Sequence, residues 1–158
     1  LLTAIYCIFN SCNRHTHHSF YLYNLILYLY NLKTTLMLQR KENIILTKTE
    51  AFSARIVNMY RYLVEVKHEH IIANQILRSG TSIGANTAES RNAQSKIDFI
   101  HKLSIALKEA DETEYWLKML NSGHYITDRQ LQSMMNDNEE IIRILTKIIK
   151  TSKSSLVP

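Results

Sequence analysis

The feature of this sequence that most constrains its fold is a heptad seam between residues 99 and 120. Apolar or small residues recur there in alternating steps of four and three: Phe99, Leu103, Ala106, Ala110, Thr113, Leu117 and Leu120. This spacing is typical of a helix that packs lengthwise against another helix, because a period of about 3.5 residues keeps one narrow stripe turned toward the partner. The rest of the chain must therefore supply at least one more long helix.

A first helix is predicted before the seam. The sequence "TKTE" at residues 47–50 fits a capping box, in which a Thr side chain and a Glu three residues later satisfy the first free backbone amides. An apolar stripe with helical spacing follows, formed by Phe52, Ile56, Met59, Tyr60 and Leu63. We therefore predict a helix that begins at Thr47 and ends at about Lys67.

The remaining helices show the same periodicity. Helical spacing continues from Ile72 to Asn86, and "SKID" at residues 95–98 predicts the cap of the seam helix. Gly123 predicts the end of that helix, because glycine is common just past a helix C-terminus.

A capping box at Thr127, with Gln130 three residues later, predicts a fourth helix. Its apolar residues are Leu131, Met134, Met135, Ile141, Ile142, Leu145, Ile148 and Ile149. The 158 residues include only one proline and three glycines, which is too few for a turn-rich β protein. The sequence therefore predicts an all-α, antiparallel, up-down four-helix bundle over residues 37–150, followed by a flexible tail at residues 151–158.

The first 36 residues differ from the rest. They contain no Asp or Glu, and Arg14 and Lys33 are their only Lys or Arg residues. We predict that Met37 is the natural start and that residues 1–36 are a leader outside the natural protein. The apolar segment Phe20 to Leu32 is shorter than the roughly 20 residues that span a bilayer, so no membrane partner is expected. An interfacial anchor is the alternative.

Metal and cofactor chemistry is not predicted. The leader contains a group of potential zinc ligands, namely Cys7, Cys12, His15, His17 and His18. Their spacing lacks the dozen-residue spacer that folds a zinc finger around its metal. A di-iron bundle needs Glu-x-x-His on two helices, and Glu65 to His68 is the single match. Two cysteines imply no disulfide framework, so a cytoplasmic location is expected.

The stretch "RSGTSIGANTAES" at residues 78–90 lies between strongly helical segments. A phosphate-binding loop would follow a strand and place a lysine before Ser or Thr, and the segment has neither. We predict a helix-packing motif in which small residues let a neighbouring helix approach closely. The predicted motif comprises Ser79, Gly80, Gly84 and Asn86, and further small residues around the glycines are Ser82, Ala85 and Ala88. The seam helix offers Trp116, Tyr115 and Phe99 as large partners.

The acidic cluster at residues 109–114 predicts ion pairs, not catalysis. Lys108 with Glu112 and Glu114 with Lys118 fit i, i+4 pairs on a solvated face. Glu109 flanks the seam, and with Arg78 or Arg91 it fits a partly buried ion pair that fixes helix register. The Ser, His and Asp residues form no nucleophile motif, so neither an enzyme nor a small-molecule substrate is predicted.

The seam helix also predicts oligomerisation. Ile100, Leu107 and Trp116 flank the seam and widen its apolar surface beyond what one bundle core requires. A homo-oligomer interface is the prediction, and a broader intramolecular core is the alternative.

Two long motifs carry a resemblance to a known family. The sequence from Gln75 to Ser90, followed by Ser95 to Leu120, resembles the small four-helix-bundle proteins encoded within intervening sequences of bacterial 23S rRNA genes. The resemblance covers about residues 43–150 and departs from the family pattern at "NTAES" (86–90) and in the leader. It implies a ring, typically a homopentamer. A related member, the accessory protein of diversity-generating retroelements, is a basic barrel that works with nucleic acid and a reverse transcriptase.

A basic stripe near the C-terminus predicts nucleic-acid binding. Arg143, Lys147, Lys150 and Lys153 recur at i, i+4, i+7 and i+10, and the chain carries a formal net charge of +5. The alternative is that these cations only complement the helix dipole and pair with Glu139. The predicted function is a non-enzymatic oligomer that binds RNA or a nucleic-acid-processing partner. A structural or protein-interaction scaffold is the alternative.

Overall fold

The computed structural model describes residues 25–28 and 43–155 of the chain. The chain divides into two units between Glu42 and Asn43. Residues 25–28 in the first unit are helical, and the second unit contains four helices. We number them α1 (Ile44–Glu65), α2 (Ile71–Ser90), α3 (Lys96–Ser122) and α4 (Asp128–Ser154). The described residues contain no strand, so the predicted all-α class is confirmed.

The helices form an up-down bundle. Each of them packs against the next one along the chain, and α4 returns to contact α1. The diagonal pairs, α1 with α3 and α2 with α4, do not pack against each other. The α1–α4 pairing is the least extensive of the four. None of the helices in the described part of the chain is long and apolar enough to cross a membrane.

Three predicted helix boundaries are confirmed. The Ser95 hydroxyl accepts a hydrogen bond from the Asp98 amide at 3.1 Å and caps α3. Thr127 and Gln130 form the reciprocal capping box of α4, with the Thr127 amide donating to the Gln130 side chain at 2.8 Å. Gly123 is the C-cap of α3, and its amide donates to the Met119 carbonyl. At the far end, α4 continues through Ser154, into the segment expected to be the tail.

The predicted start of the first helix is wrong. Helix α1 begins at Ile44 with Asn43 as its N-cap, so Thr47 lies inside the first turns. The reason is tertiary, because Ile45 is only 5% exposed and extends the buried stripe one turn before Thr49. Burial of this side chain outweighs the local preference for a Thr cap. The helix ends at Glu65, close to the predicted position.

The start of α2 is capped by a buried carboxylate, which the sequence pattern did not predict. The Glu69 side chain accepts hydrogen bonds from the amides of Ile71, Ile72 and Ala73 at 2.9, 2.9 and 2.7 Å. The residue is 8% exposed, so these bonds satisfy the carboxylate away from water. Its negative charge also interacts favourably with the positive end of the helix dipole. Glu69 therefore fixes where the chain enters α2.

The core contains the heptad seam of α3 together with a few polar side chains. Seam residues from Leu103 to Leu120 are buried. Thr113 donates to the Ser79 hydroxyl at 2.9 Å, which joins α3 to α2. Asn138 of α4 is fully buried, and its amide nitrogen donates to the Ala110 carbonyl at 2.9 Å. These two hydrogen bonds link α3 to both of its neighbours inside the bundle.

Candidate nucleic-acid interface

The charges of α4 are divided between its two halves. In the first half, Asp137 forms an ion pair with Arg55 of α1, and Glu140 accepts from Lys48 of α1 at 2.7 Å. Residues 141–154 contain no Asp or Glu at all. The second half of α4 therefore carries positive charge only.

The four predicted nucleic-acid-binding residues lie in this second half. Arg143, Lys147, Lys150 and Lys153 are all exposed, and within residues 43–155 none of them forms an ion pair. The alternative pairing of Glu139 with Arg143 is not formed. We call these four side chains the basic stripe. At a rise of about 1.5 Å per residue, it is about 15 Å long.

The helix dipole accounts for only part of the basic stripe. The interaction of a cation with the dipole falls off within the last turn of a helix. Lys153 lies in the last turn of α4, whereas Arg143 and Lys147 lie further back along the helix. Stabilisation of α4 by the dipole therefore does not explain why Arg143 and Lys147 form no ion pair with any other described residue.

The connection between α2 and α3 adds cations at the same end of the bundle. Lys96 donates to the Ser155 carbonyl at 3.2 Å, which places this first residue of α3 beside the end of α4. Arg91 in the same connection is exposed. Of the acids nearby, Glu89 pairs with Lys102 at 2.6 Å, and this hydrogen bond raises the pKa of the Lys102 ammonium. Lys96 was not predicted as part of this surface, because Lys96 and Ser155 are far apart in the sequence.

The predicted helix-packing motif has a different partner from the one expected. A Cβ atom built on Gly80 would lie 2.7 Å from Cγ1 of Ile56, and one on Gly84 would lie 2.8 Å from the Ser53 hydroxyl. Both glycines therefore face α1, and the expected partner Trp116 on α3 is wrong. The reason is that α2 has two neighbours, and periodicity alone does not say which one the glycines face.

The other members of the predicted motif lie apart from the glycine contact. Ser79 is buried on the α3 side of α2, where it accepts from Thr113. Asn86 is half-buried and donates to the Ser82 carbonyl of its own helix at 2.9 Å. Trp116 is half-buried, and its indole nitrogen donates to Glu112 at 3.2 Å. The tryptophan ring meets Tyr115 edge to face, with ring centroids 5.0 Å apart.

The structure brings the predicted pair Arg78 and Glu109 together. Nη1 of Arg78 lies 3.4 Å from Oε2 of Glu109, and Nη2 contacts Glu112. The Glu109 side chain is 13% exposed, whereas that of Arg78 is 51% exposed. Arg91, the alternative partner, forms no ion pair among the residues that the structure describes. One cation thus joins two carboxylates of α3 to α2.

The predicted oligomer surface on α3 is only partly available. Ile100 is 8% exposed and belongs to the core of the subunit, so its assignment to an interface is wrong. Leu107 and Trp116 are half-buried and pack against the same core. The large apolar side chains that are most exposed on the bundle include Val57, Val66, Ile71, Ile97 and Tyr115, of which Tyr115 lies against Trp116.

The part of the chain that the structure describes contains no cluster of three or more His, Cys, Asp or Glu side chains arranged to hold a metal. The cysteine and histidine cluster of the leader lies outside the described residues. His68, the other half of the single Glu-x-x-His match, follows α1 and is exposed.

The fold defines a class of protein, an all-α up-down bundle with a row of exposed cations along its last helix. The model of the 23S rRNA-intervening sequence protein family matches residues 41–147. The chain belongs to this family, which confirms the resemblance found in its sequence. It is also similar to the crystal structure of a protein of unknown function from the S23 ribosomal protein family of Bacteroides thetaiotaomicron, with 54% identity and a TM-score of 0.68. The match covers 68% of this chain and 96% of that chain. None of the curated proteins compared matches this chain.

Proposed function

We propose that this protein is a non-enzymatic, cytoplasmic homo-oligomer that binds RNA through the basic stripe of α4. The observation that carries the proposal is the row of four exposed cations, which find no acidic partner within residues 43–155. Two of the four carboxylates in the first half of α4, those of Asp137 and Glu140, already pair with cations of α1. This arrangement favours a polyanion as partner. Each phosphate that the stripe neutralises releases counterions condensed on the nucleic acid, and this release favours binding.

The proposed assembly strengthens this binding. Four cations on one subunit give weak contact with a nucleic acid, and repetition of the stripe around an oligomer lets one RNA touch several copies. The second contact is then effectively intramolecular, so affinity rises without any new interaction. Contacts of this kind go to phosphates and carry little sequence information. We therefore expect binding that depends weakly on sequence and steeply on salt.

The test is a titration of a structured RNA hairpin at about 50 and 200 mM salt. We expect the parent protein to bind at low salt and lose at least about tenfold in affinity at the higher salt. A Lys147→Glu, Lys150→Glu variant should bind at least about tenfold more weakly at low salt, with a shallower dependence on salt.

A matched control separates the stripe from net charge. Lys108→Glu, Lys118→Glu makes the same change in charge on α3, where both lysines are exposed. This variant should keep most of the affinity. Equal weakening by both double variants would show that only net charge matters, and the absence of binding at low salt would overturn the proposal. Sedimentation of each protein checks that its oligomeric state is unchanged.

The alternative is a protein-interaction scaffold without a nucleic-acid role. It is favoured by exposed apolar side chains on the bundle, which include Val57, Ile97 and Tyr115. Large apolar residues that stay exposed in one subunit are typical of contact surfaces when they are contiguous. A protein that assembles normally and fails to bind the RNA hairpin at either salt concentration would support this alternative.

A further inference from the structure

The weak pairing of α1 with α4 leaves a groove between them. A cavity of about 470 Å³ opens there, between the second half of α1 and the first turns of α4. It is lined by Arg55, Asn58, Met59, Tyr62, Ile126, Arg129, Gln130, Ser133 and Met134. We call it the α1–α4 groove. Its volume lies in the range that binding sites in proteins typically have.

The floor of the α1–α4 groove is apolar. Ile126 and Met134 are buried in the bundle core, and Met59 and Tyr62 are half-buried against it. Methionine side chains are unbranched and polarisable, so a surface that contains them adapts to apolar side chains of different shapes. The floor therefore suits an inserted aliphatic or aromatic side chain.

The rim of the groove is basic. Arg55 is held by Ser133, whose hydroxyl accepts at 2.8 Å and whose carbonyl accepts at 3.2 Å, and by Asp137. Arg129 is exposed and forms no ion pair within residues 43–155. Since Asp137 already neutralises Arg55, Arg129 adds a net positive charge to one edge.

The groove continues toward a second cation. An adjacent depression of about 320 Å³ shares Tyr62, Ile126 and Gln130 with it and extends to Lys67. The Lys67 ammonium lies 5.8 Å from the centroid of the Tyr62 ring. The nearby Asp128 carboxylate accepts from the Asn121 side chain at 3.0 Å. The combined surface has the apolar floor of the main cavity, Arg129 on its rim, and Lys67 together with Asp128 in the adjacent depression.

We propose that the α1–α4 groove docks an acidic amphipathic segment of a partner protein. Apolar side chains of that segment lie on Met59 and Met134, and its carboxylates face Arg129. The choice of an acidic partner follows from charge complementarity, which favours negative segments and disfavours positive ones. An extended trough with apolar anchors is also the form in which helical peptides are commonly bound.

A single-stranded nucleic acid is a poorer fit to this floor. Sites for unpaired bases typically offer several aromatic faces for stacking. Tyr62 is the one aromatic ring that lines the main cavity, and the Lys67 ammonium lies over it, while Tyr125 lines only the adjacent depression. The groove is also separate from the basic stripe, since Arg129 and Arg143 are about 21 Å apart along α4. The proposal therefore does not depend on RNA binding.

The test uses a fluorescein-labelled helical peptide of about four turns, with Leu at positions i, i+3, i+4 and i+7 and Glu elsewhere. A peptide of the same composition with scrambled order has the same charge and no apolar face. We expect anisotropy to show saturable binding of the first peptide to the full chain, and at least tenfold weaker binding of the scrambled one.

Two variants probe the two parts of the groove. Arg129→Glu removes an exposed cation, and Met59→Gln makes the floor polar at nearly constant shape. Each variant should bind the patterned peptide with at least fivefold lower affinity. The Lys108→Glu, Lys118→Glu variant on α3 should bind it within twofold of the affinity of the parent protein. Circular dichroism and sedimentation check that every variant keeps the fold and assembly of the parent.

Four results would overturn the proposal. One is the absence of saturable binding, and another is equal binding of the patterned and scrambled peptides. A third is displacement of the peptide by the RNA hairpin together with weaker RNA binding by Arg129→Glu, which would make the groove part of the nucleic-acid surface. The fourth is a change of oligomeric state in Met59→Gln or Arg129→Glu with normal helicity, which would show that a second copy covers the groove.

Discussion

Helix α1 packs closely on α2 and loosely on α4. On the α2 side, a fully buried Ile56 lies against Gly80, where a Cβ would approach it to 2.7 Å. On the α4 side, Lys48 and Arg55 reach across to carboxylates, and a groove remains open beside them. The difference shows that one side of a helix can stabilise the bundle while another side leaves a surface open for binding. Apolar packing against glycine holds α1 in place, so the opposite side of the helix is free to present charge and an open surface.

The largest effect is expected at the glycine contact. Gly80→Leu should destabilise the protein by about 3 kcal/mol, because the fully buried Ile56 side chain already lies within 2.9 Å of the position of an added Cβ. Thermal and urea unfolding followed by circular dichroism measure the loss. Ala85→Leu on the exposed face of α2 is the control and should change stability by less than about 0.5 kcal/mol.

A second variant separates overpacking from loss of helix propensity. Leucine is a better helix former than glycine, so propensity alone would make Gly80→Leu stabilising. If the clash with Ile56 is the cause, Ile56→Ala should cost less in the Gly80→Leu background than in the parent. Additive effects of the two substitutions, or a Gly80→Leu protein as stable as the parent, would show that the two helices are not tightly packed there.

A smaller effect is expected in the connection between α1 and α2. Glu69→Ala should lower the free energy of unfolding by about 2 kcal/mol, because three amides at the start of α2 lose their acceptor. Glu69→Gln should retain part of the stability, since its amide oxygen still accepts. Glu65→Ala, at an exposed glutamate nearby, is the control. Equal stability of the Glu65 and Glu69 variants would contradict the capping role.

The smallest effect is expected on the α4 side of α1. The Arg55 and Asp137 side chains are 39% and 43% exposed, so solvent and salt screen their interaction. A double-mutant cycle with Arg55→Gln and Asp137→Asn should give a coupling energy below about 1 kcal/mol that decreases with added salt. A coupling energy of about 2 kcal/mol or more, insensitive to salt, would make this side of α1 as important for stability as the glycine side.

The features that were predicted correctly depend on residues close together in the sequence. Ser95 caps α3 through an amide three residues away, and Thr127 forms its box with Gln130 in the same way. Those bonds form whenever the local backbone is helical. The start of α1 was predicted wrongly because Ile45 gains its stability from the assembled core, which no local pattern reveals.

The candidate surfaces also divide into features that nearby residues predict and features that depend on tertiary packing. The basic stripe was identified from spacing alone, since residues at i, i+4 and i+7 share one helix face whatever the neighbours do. The absence of a Glu139 pair with Arg143 and the position of Lys96 beside Ser155 required the structure. The α1–α4 groove was not predicted, because its lining comes from two helices at opposite ends of the bundle sequence.

The sequence by itself determined four amphipathic helices, most of their boundaries, their up-down order and the faces on which charge and small residues lie. These properties follow from periodicity and capping, which act over one or two turns of a single helix. Only the tertiary structure decided that Gly80 and Gly84 meet α1, that Ile100 belongs to the core, and that α1 and α4 stay apart around a groove. The physical reason is that a helix in a four-helix bundle has two neighbours, and the choice between them depends on how all the side chains pack together.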